Sequence, residues 1–596
     1  MYCRLRFLWG WAWLALALAG CETSAVSPSP VATSTAGAPA GGSTAARIPL
    51  VATNDVPAID DKTRPDDWFE DATERTEIRF AYHNGREANR FYILESMGGG
   101  VAMIDFDLDG DLDLFFTGGG TISSDDPVQI GGLPSALYRN EGDWRFVDVT
   151  ALSMMGEAPD FSHGCTVTDF NGDGFPDLFV CCYGRSRLYR NRGDGTYCEA
   201  ADATQLPARG WGTMAACADF DRDGLPDIFL ARYTDWSPET DQVCMNRNGV
   251  RDVCGPASYA GTTCQFFHNS GDGAFEDWSE RVGLKDNIHG LGVVAADYNA
   301  DGWIDFYVAS DETPKHLYVG RPDRSFTENA AACGVAVSEN GSPEGSMGLD
   351  VGDYNGDGLL DIWVTNFENE VNSLYRNLGG GMFMHSEAAV GLAGTSRMRV
   401  GFGTSLTDFD GDGWLDIFVL NGNPIYYNGK TPFKQAPQLF RNQAGRRFEN
   451  ISERGGVFFR QMHAGRGNAV GDLDNDGAPD LVTTQVNDPA RILRNRNVPQ
   501  NYVSVRLRAT LGEPAATGAR VTVNYKNRRV ARFVVQGAGY FSCSDPRLIL
   551  PVEVAQVTSD VTVEWPGRAR ELFRELTVRR SHLLSEGHGE SVDEPR

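Results

Sequence analysis

A nine-residue pattern, D-x-[DN]-x-D-G-x-x-D, stands seven times in this chain of 596 residues, beginning at Asp105, Asp169, Asp219, Asp297, Asp353, Asp408 and Asp472. A pattern returning every ~50–80 residues marks an array of equivalent supersecondary units, each too small to bury its apolar face alone. Short apolar runs of strand character flank each copy. Gly100-Val101-Ala102-Met103-Ile104 and Leu291-Gly292-Val293-Val294-Ala295 stand ahead of it, and Leu114-Phe115-Phe116, Leu178-Phe179-Val180 and Ile417-Phe418-Val419 behind it. The acidic stretch therefore reads as the turn of a hairpin.

A third short strand follows and ends in Asn, as in Leu137-Tyr138-Arg139-Asn140, Leu188-Tyr189-Arg190-Asn191, Leu374-Tyr375-Arg376-Asn377 and Leu439-Phe440-Arg441-Asn442. A fourth runs from Phe146 to Thr150, Phe275 to Ser279 and Phe448 to Ser452. Four strands per repeat make a propeller blade. After the seventh loop the chain passes Leu493-Arg494-Asn495 without a fourth strand, whereas Phe69-Glu70-Asp71-Ala72-Thr73, ahead of the first loop, has that pattern. The expectation is an all-β chain: a seven-bladed β-propeller over 67–497, its last blade closed by the N-terminal strand so that no sheet edge is exposed, then a small C-terminal β-domain.

Positions one, three, five and nine of each loop are hard oxygen donors, and hard oxygens suit a hard cation. They are Asp105, Asp107, Asp109 and Asp113; Asp169, Asn171, Asp173 and Asp177; Asp219, Asp221, Asp223 and Asp227; Asp297, Asn299, Asp301 and Asp305; Asp353, Asn355, Asp357 and Asp361; Asp408, Asp410, Asp412 and Asp416; and Asp472, Asp474, Asp476 and Asp480. Position six is always Gly, from Gly110 to Gly477, as a loop wrapping an ion requires. An EF-hand would need a carboxylate at position twelve, where Phe116, Val180, Leu230, Val308, Val364, Val419 and Thr483 stand. Acids this dense repel one another without a counter-ion. Ca²⁺, tolerant of irregular oxygen shells, is the predicted cofactor. The same residues, over roughly Phe69 to Asn497, resemble the FG-GAP, or VCBS, repeat of integrin-like propellers. That resemblance implies calcium loops that staple the blades and ligand binding on loops of one propeller face, with no catalytic role for the acids.

The net charge of −28 excludes a general nucleic-acid binder, because a phosphate backbone would be repelled. Hydrophobic residues at 41% and aromatic ones at 11% exclude a disordered acidic polymer. Residues 1–20 read as an export signal, with Arg4 and Arg6 before an apolar run from Phe7 to Ala19. Leu18-Ala19-Gly20-Cys21 resembles a bacterial lipobox, implying a lipid on Cys21 and membrane contact only through that anchor; an ordinary secretory signal is the alternative. Residues 21–66, rich in Ser, Thr, Ala, Pro and Gly up to Ala46, read as a tether. Of the twelve cysteines, setting aside Cys3 and Cys21 leaves ten, an even number consistent with an oxidising compartment.

From 498 to 590 the pattern changes to alternating strands: Val503–Leu507, Ala519–Val523, Gly537-Ala538-Gly539-Tyr540 and Val561–Pro566, with a tail at 591–596. These segments resemble the ASPIC/UnbV domain that follows such propellers in cartilage-acidic-protein-like extracellular proteins, except that Leu550-Pro551-Val552 replaces a Gly-rich stretch. The longest interval between loops holds Cys244, Cys254 and Cys264, whose spacing favours a disulfide between two of them over a zinc site. This insertion is the first candidate for a partner-contacting surface. The expected function is that of an exported, lipid-anchored, calcium-binding module for an extracellular protein or glycan. The alternative is a polysaccharide lyase or dehydratase with its site at the propeller axis, drawing on His163, His289, His463 and Arg399. Tyr426 and Tyr427 fit either a glycan site or the core, and neither G-x-S-x-G nor H-E-x-x-H is present.

Overall fold

The computed structural model describes residues 62–592 apart from 158, 272, 428, 429 and 568. The export signal, Cys21 and most of the tether lie outside the described residues. The described residues are almost entirely β, and their sheets include seven four-stranded antiparallel units, the second and third sharing one continuous sheet. Their innermost strands are Val101–Ile104, Phe161–Thr168, Arg209–Ala218, Gly290–Ala296, Leu349–Gly352, Gly401–Thr407 and Gly465–Gly471. Each neighbours the next in a closed circle, and the last neighbours the first. Phe69–Asp71 supplies the outer strand of the seventh blade, pairing Phe69 with Asn495 and Asp71 with Leu493. The two ends of the repeat array thus share one sheet.

Apolar side chains of neighbouring blades interdigitate between the sheets, as Phe170, Phe179, Leu188, Leu230 and Phe267 do between the second and third. Each such buried side chain contributes about 1.5–3 kcal/mol. Buried threonines add polar latches at the ring's inner edge: Thr117, Thr213, Thr365 and Thr484 donate their hydroxyls to His163, Gly290, Phe402 and Gly99 carbonyls of the adjacent blade.

The C-terminal domain holds two sheets. Leu548–Pro551, Tyr502–Arg508 and Ser581–Ser585 form one; Arg528–Phe533, Arg520–Tyr525, Thr558–Glu564, Arg570–Thr577 and Glu590–Ser591 form the other. Val505, Val521, Leu550, Val561, Val563 and Trp565 fill the space between them.

One segment departs from the sequence-based expectation. Gly537-Ala538-Gly539-Tyr540 joins neither sheet of its own domain; the chain from Gln536 to Asp545 enters the propeller axis and returns. Gly537 pairs with Val294 of the fourth blade. Gly539 exchanges hydrogen bonds with Leu349 of the fifth, and the Phe541 carbonyl accepts from Cys165 N of the second. Cys543 bonds Val101 and Met103 of the first, and Asp545 N donates to Val470 of the seventh. Tyr540 and Phe541, fully buried, stack at 3.8 Å at the tip of this plug. A Cβ at Gly100 would collide with the Phe541 carbonyl oxygen, which is why glycine stands immediately before the first inner strand.

Candidate metal centres

Each acidic loop joins the innermost strand of a blade to the second, and one set of hydrogen bonds shapes all seven. The position-one carboxylate accepts from the backbone N–H of the position-six glycine, as in Gly174 to Asp169 (2.9 Å), Gly302 to Asp297 (2.8 Å) and Gly477 to Asp472 (2.9 Å). Those glycines have φ between 83° and 98°, the left-handed region. From the second loop onward, the position-five carboxylates of Asp173, Asp223, Asp301, Asp357, Asp412 and Asp476 accept from the N–H two residues on. Asp109 does the same for Asp111.

The position-nine aspartates, Asp113, Asp177, Asp227, Asp305, Asp361, Asp416 and Asp480, are the buried pivots. Asp113 is typical: Oδ2 accepts from Phe106 N (3.1 Å) and Oδ1 from Asn140 N (2.8 Å). The Asn that ends the third strand extends this frame to the preceding blade. Asn140, Asn191, Asn269, Asn377, Asn442 and Asn495 donate to the carbonyls of Leu473, Phe106, Phe170, Tyr298, Tyr354 and Phe409, each at position two of a neighbouring loop. The fourth blade has Gly320 there, which satisfies Asp305 through its backbone N–H but has no amide to give. Arg222 bridges that junction instead, donating to the Gly302 carbonyl and stacking on Trp303.

The carboxylates converge as a cation site requires. Ligand oxygens of Asp105, Asp107 and Asp113, of Asp408, Asp410 and Asp416, of Asp472, Asp474 and Asp480, and of Asp219, Asp221 and Asp223 lie within 4.8 Å of one another. In the loops with an amide at position three, Asn171 and Asn299 donate to Asp173 and Asp301, and Asn355 to Asp361. Asp353 is nearly buried, and its two oxygens take the N–H groups of Gly356, Asp357 and Gly358. Several buried oxygens in the converging sets have no hydrogen-bond partner: Oδ1 of Asp105, Asp408 and Asp474, and both oxygens of Asp221. Burial, then neighbouring charge, pushes these acids up: Asp113 and Asp177 to about 8, Asp408 and Asp472 to about 7 and Asp219 to about 6. Orphaned oxygens and carboxyls that resist ionisation without a counter-charge fit a hard cation bound in the loops.

The loops are not open to one whole side, because the C-terminal domain covers them. Arg532 pairs with Asp408 (3.1 Å), Arg528 donates to the Asp412 carbonyl (3.2 Å) and Arg547 to the Asp472 carbonyl (2.8 Å). Between loops and domain lies a cleft of about 680 Å³ lined by Asp105, Asp169, Asp353, Asp408, Arg506 and Arg532 among others. Sequence reading missed these arginines as loop partners, although Arg528-Arg529-Val530-Ala531-Arg532 places basic residues together on one strand.

At the other end of the inner strands, Trp211, Tyr233, Trp236, Tyr183 and Tyr92 pack with ring centroids 5.1–5.7 Å apart. The insertion closes over this end. Its disulfide joins Cys244 to Cys254, Cys264 is a buried free thiol, and seven further cysteines among the described residues are unpaired. Asp252 takes the N–H groups of Tyr426 (3.1 Å) and Tyr427 (2.8 Å), tying the insertion to the sixth blade. Tyr426 is wedged against Phe433 and Tyr427 is exposed.

The histidines proposed for an axial enzyme site are each engaged locally. His163 is fully buried beside Tyr82 and the Gly98 carbonyl, and burial pulls it down to about 4. His289 bonds the Asp311 and Tyr259 carbonyls, and His463 bonds Phe458 O and stacks on that ring. Arg399 donates to the Ala436 carbonyl. Among the described residues no hydrogen bond or ring contact joins one of them to another, and Phe541 of the plug lies 5.8 Å from the His163 ring.

Sequence comparison matches residues 105–180, 169–230, 245–308, 297–364, 353–419 and 408–483 to the FG-GAP-like repeat, and 510–591 to ASPIC and UnbV. Human cartilage acidic protein 1 is 26% identical over 396 residues, covering 55% of this chain and 56% of that protein. The Xenopus tropicalis protein of the same name is 24% identical over 477 residues, covering 68% of this chain and 70% of that one. The chain thus spans little more than half of its human relative. A solved Agrocybe aegerita lectin aligns over 62% of this chain and 89% of its own at 16% identity and a TM-score of 0.37, too loosely to inform function. No described helix is long and apolar enough to cross a membrane.

Proposed function

The chain belongs to the FG-GAP-like repeat family, and from that premise we propose that it is an exported propeller, held to the envelope through lipidated Cys21, whose loops bind Ca²⁺ and which serves as a binding module for an extracellular protein or glycan. The carboxylates and amides at positions one, three, five and nine would hold the ion, which supplies the positive charge that lets buried acids ionise. The backbone N–H groups and strand-end asparagines hold those acids in place.

One observation carries the binding role: the two ends of the propeller are built differently. The acidic loops are partly covered by the C-terminal domain and the axis is plugged, which favours the end carrying the insertion, with exposed Val243, Met245 and Tyr427, as the recognition surface. Cartilage acidic protein 1, the relative with a repeat and ASPIC/UnbV plan, supports an extracellular interaction role.

The test is a panel of extracellular glycans and matrix proteins offered to the purified chain and to a Val243→Ser/Met245→Ser/Tyr427→Ala variant. Binding that disappears in the variant while its melting curve holds supports the reading; binding that survives unchanged overturns the assigned surface. Cys21→Ser should move the protein out of the membrane fraction without blocking export, since stable anchoring needs the acyl chains.

A further inference from the structure

The loops are not chemically alike, and the third departs furthest. In five blades the residue before the strand-end Asn is Arg139, Arg190, Arg376, Arg441 or Arg494; in the third it is His268. The arginines of four of these blades turn onto the loops: Arg190 to Asp173 and Arg376 to Asp357 at 3.3 Å, Arg441 to Asp410 at 2.6 Å, and Arg494 to Asp474 at 3.2 Å. A guanidinium only donates and stays charged, so it cannot ligate a metal, whereas a neutral imidazole nitrogen can.

His268 is aimed into its loop. Its Nδ1 lies 3.0 Å from Asp227 Oδ1 and 3.8 Å from Asp221 Oδ2, and the three side chains are buried with ligand atoms within 4.8 Å of one another. Asp221 supplies an independent sign of a missing partner. Its carboxylate is fully buried and neither oxygen accepts a hydrogen bond. Besides His268 itself, the half-exposed Arg324 guanidinium approaches it, as an ion pair at 3.1 Å. The imidazole is also held still. Its ring stacks on Trp278 at 3.7 Å, and that indole donates to Glu276 (3.0 Å) while Arg281 lies over it at 3.5 Å. A ring fixed this way is a preorganised ligand.

We propose that Asp221, Asp227 and His268 form a mixed nitrogen–oxygen site for a divalent transition metal of the Zn²⁺ class, distinct from the all-oxygen loops. Ca²⁺ takes oxygen ligands, whereas imidazole raises affinity for Co²⁺ and Zn²⁺. This rests on the reading of the loops as cation sites and changes the ion at one of them.

The experiment loads the full chain with Ca²⁺ and Co²⁺ together, removes free metal, and records metal content and the visible spectrum. One Co²⁺ per chain is expected, with a ligand-field band, displaced by Zn²⁺, beside Ca²⁺ in other loops. His268→Arg, which gives this loop its neighbours' residue, should weaken Co²⁺ retention by about tenfold or more and leave the Ca²⁺ content of the other loops intact. Ca²⁺ retained without Co²⁺ overturns the proposal and leaves the calcium reading standing; equal Co²⁺ retention in both proteins also overturns it; retention of neither ion removes both. Should His268→Arg fail to fold, paramagnetically shifted imidazole resonances in the Co²⁺-loaded wild type decide: their presence supports the site and their absence sinks it.

Discussion

The two ends of the propeller reach stability by different physics. At the insertion end, Trp211, Tyr233, Trp236 and their neighbours exclude water by packing, and the interactions need nothing from the solvent. At the loop end, carboxylates are buried beside one another with oxygens left unpartnered, held in shape by backbone N–H groups and strand-end asparagines. Unpartnered buried groups occur at both ends, the Trp211 indole nitrogen among them, but at the loop end carboxylates crowd side by side, met in part by strand arginines such as Arg441 and Arg494 and by Arg532 of the C-terminal domain. Solution conditions should therefore act on the two ends unequally.

Metal removal is the largest expected effect. At a Kd around 10⁻⁴ M, each occupied loop adds about 1.4 kcal/mol at ~1 mM Ca²⁺, and the six all-oxygen loops together approach about 8 kcal/mol. EGTA should lower Tm by well over ~10 °C, with Ca²⁺ restoring it and equimolar Mg²⁺ doing so poorly. Hydrogen exchange should quicken first at Phe106, Asn140 and Gly174 while amides around Trp211 stay protected. Uniform loss across both ends, or an unchanged melt of verified metal-free protein, would erase the distinction. The sign of the pH dependence follows from the raised acids. In EGTA, Asp113 and Asp177, held near 8, keep protons in the folded state that the unfolded chain releases. Stability from that proton uptake is full below the ordinary carboxylate range and is lost as pH rises through about 8, so the metal-free protein should melt lower at pH 8 than at pH 6. With Ca²⁺ the slope should flatten or reverse, because protons then compete with the ion.

Ring closure and the plug come next, and both bind the two ends together. Removal of Asp67–Thr73 strips the seventh blade of its outer strand and the contacts of Phe69 with Phe409 and Phe459, so cooperative unfolding should be lost, whereas removal of 22–46 should leave the melt in place. Equal melting of the two truncations would contradict closure. Tyr540→Ala empties a fully buried position at the tip of the plug and should cost about 3–5 kcal/mol. Denaturant unfolding measures it; a loss under ~1 kcal/mol would mean the plug packs loosely.

What was legible in the sequence followed the chain's local periodicity. The nonapeptides placed the hairpins, the strand-final asparagines marked the third strands, and Phe69 marked the closing strand, because each signal lies within a few residues of the structure it specifies. The plug was not legible. Gly537-Ala538-Gly539-Tyr540 has the look of a strand in its own domain, and only the distant carbonyls and N–H groups of Val101, Cys165 and Leu349 show where its hydrogen bonds go. Cysteine pairing was not legible for a similar reason: Cys244 and Cys254 are joined, whereas Cys165, Cys181 and Cys217 are buried among apolar side chains and act as small hydrophobes. The meaning of Asn140 or Asn442 as a latch to the preceding blade likewise needed the neighbour to be in view.

The smallest expected effect lies at the insertion end and sharpens the contrast. The Cys244–Cys254 bridge closes a loop of sequence separation 10, and such a closure is worth roughly 3 kcal/mol in the chain-entropy account. That stabilisation applies to whatever unit the loop unfolds with. The tip of the insertion, the Cys244–Asp252 hairpin, pairs only with itself and is fastened to the sixth blade through Asp252 and Asn246 to Tyr426 and Tyr427. It can therefore open before the ring does. Replacing both cysteines by serine should leave the global Tm within ~2 °C of wild type, while trypsin cleavage beside the exposed Arg247 accelerates severalfold. A global loss rivalling that of calcium removal would show that the insertion is welded to the propeller and that the two ends unfold as one.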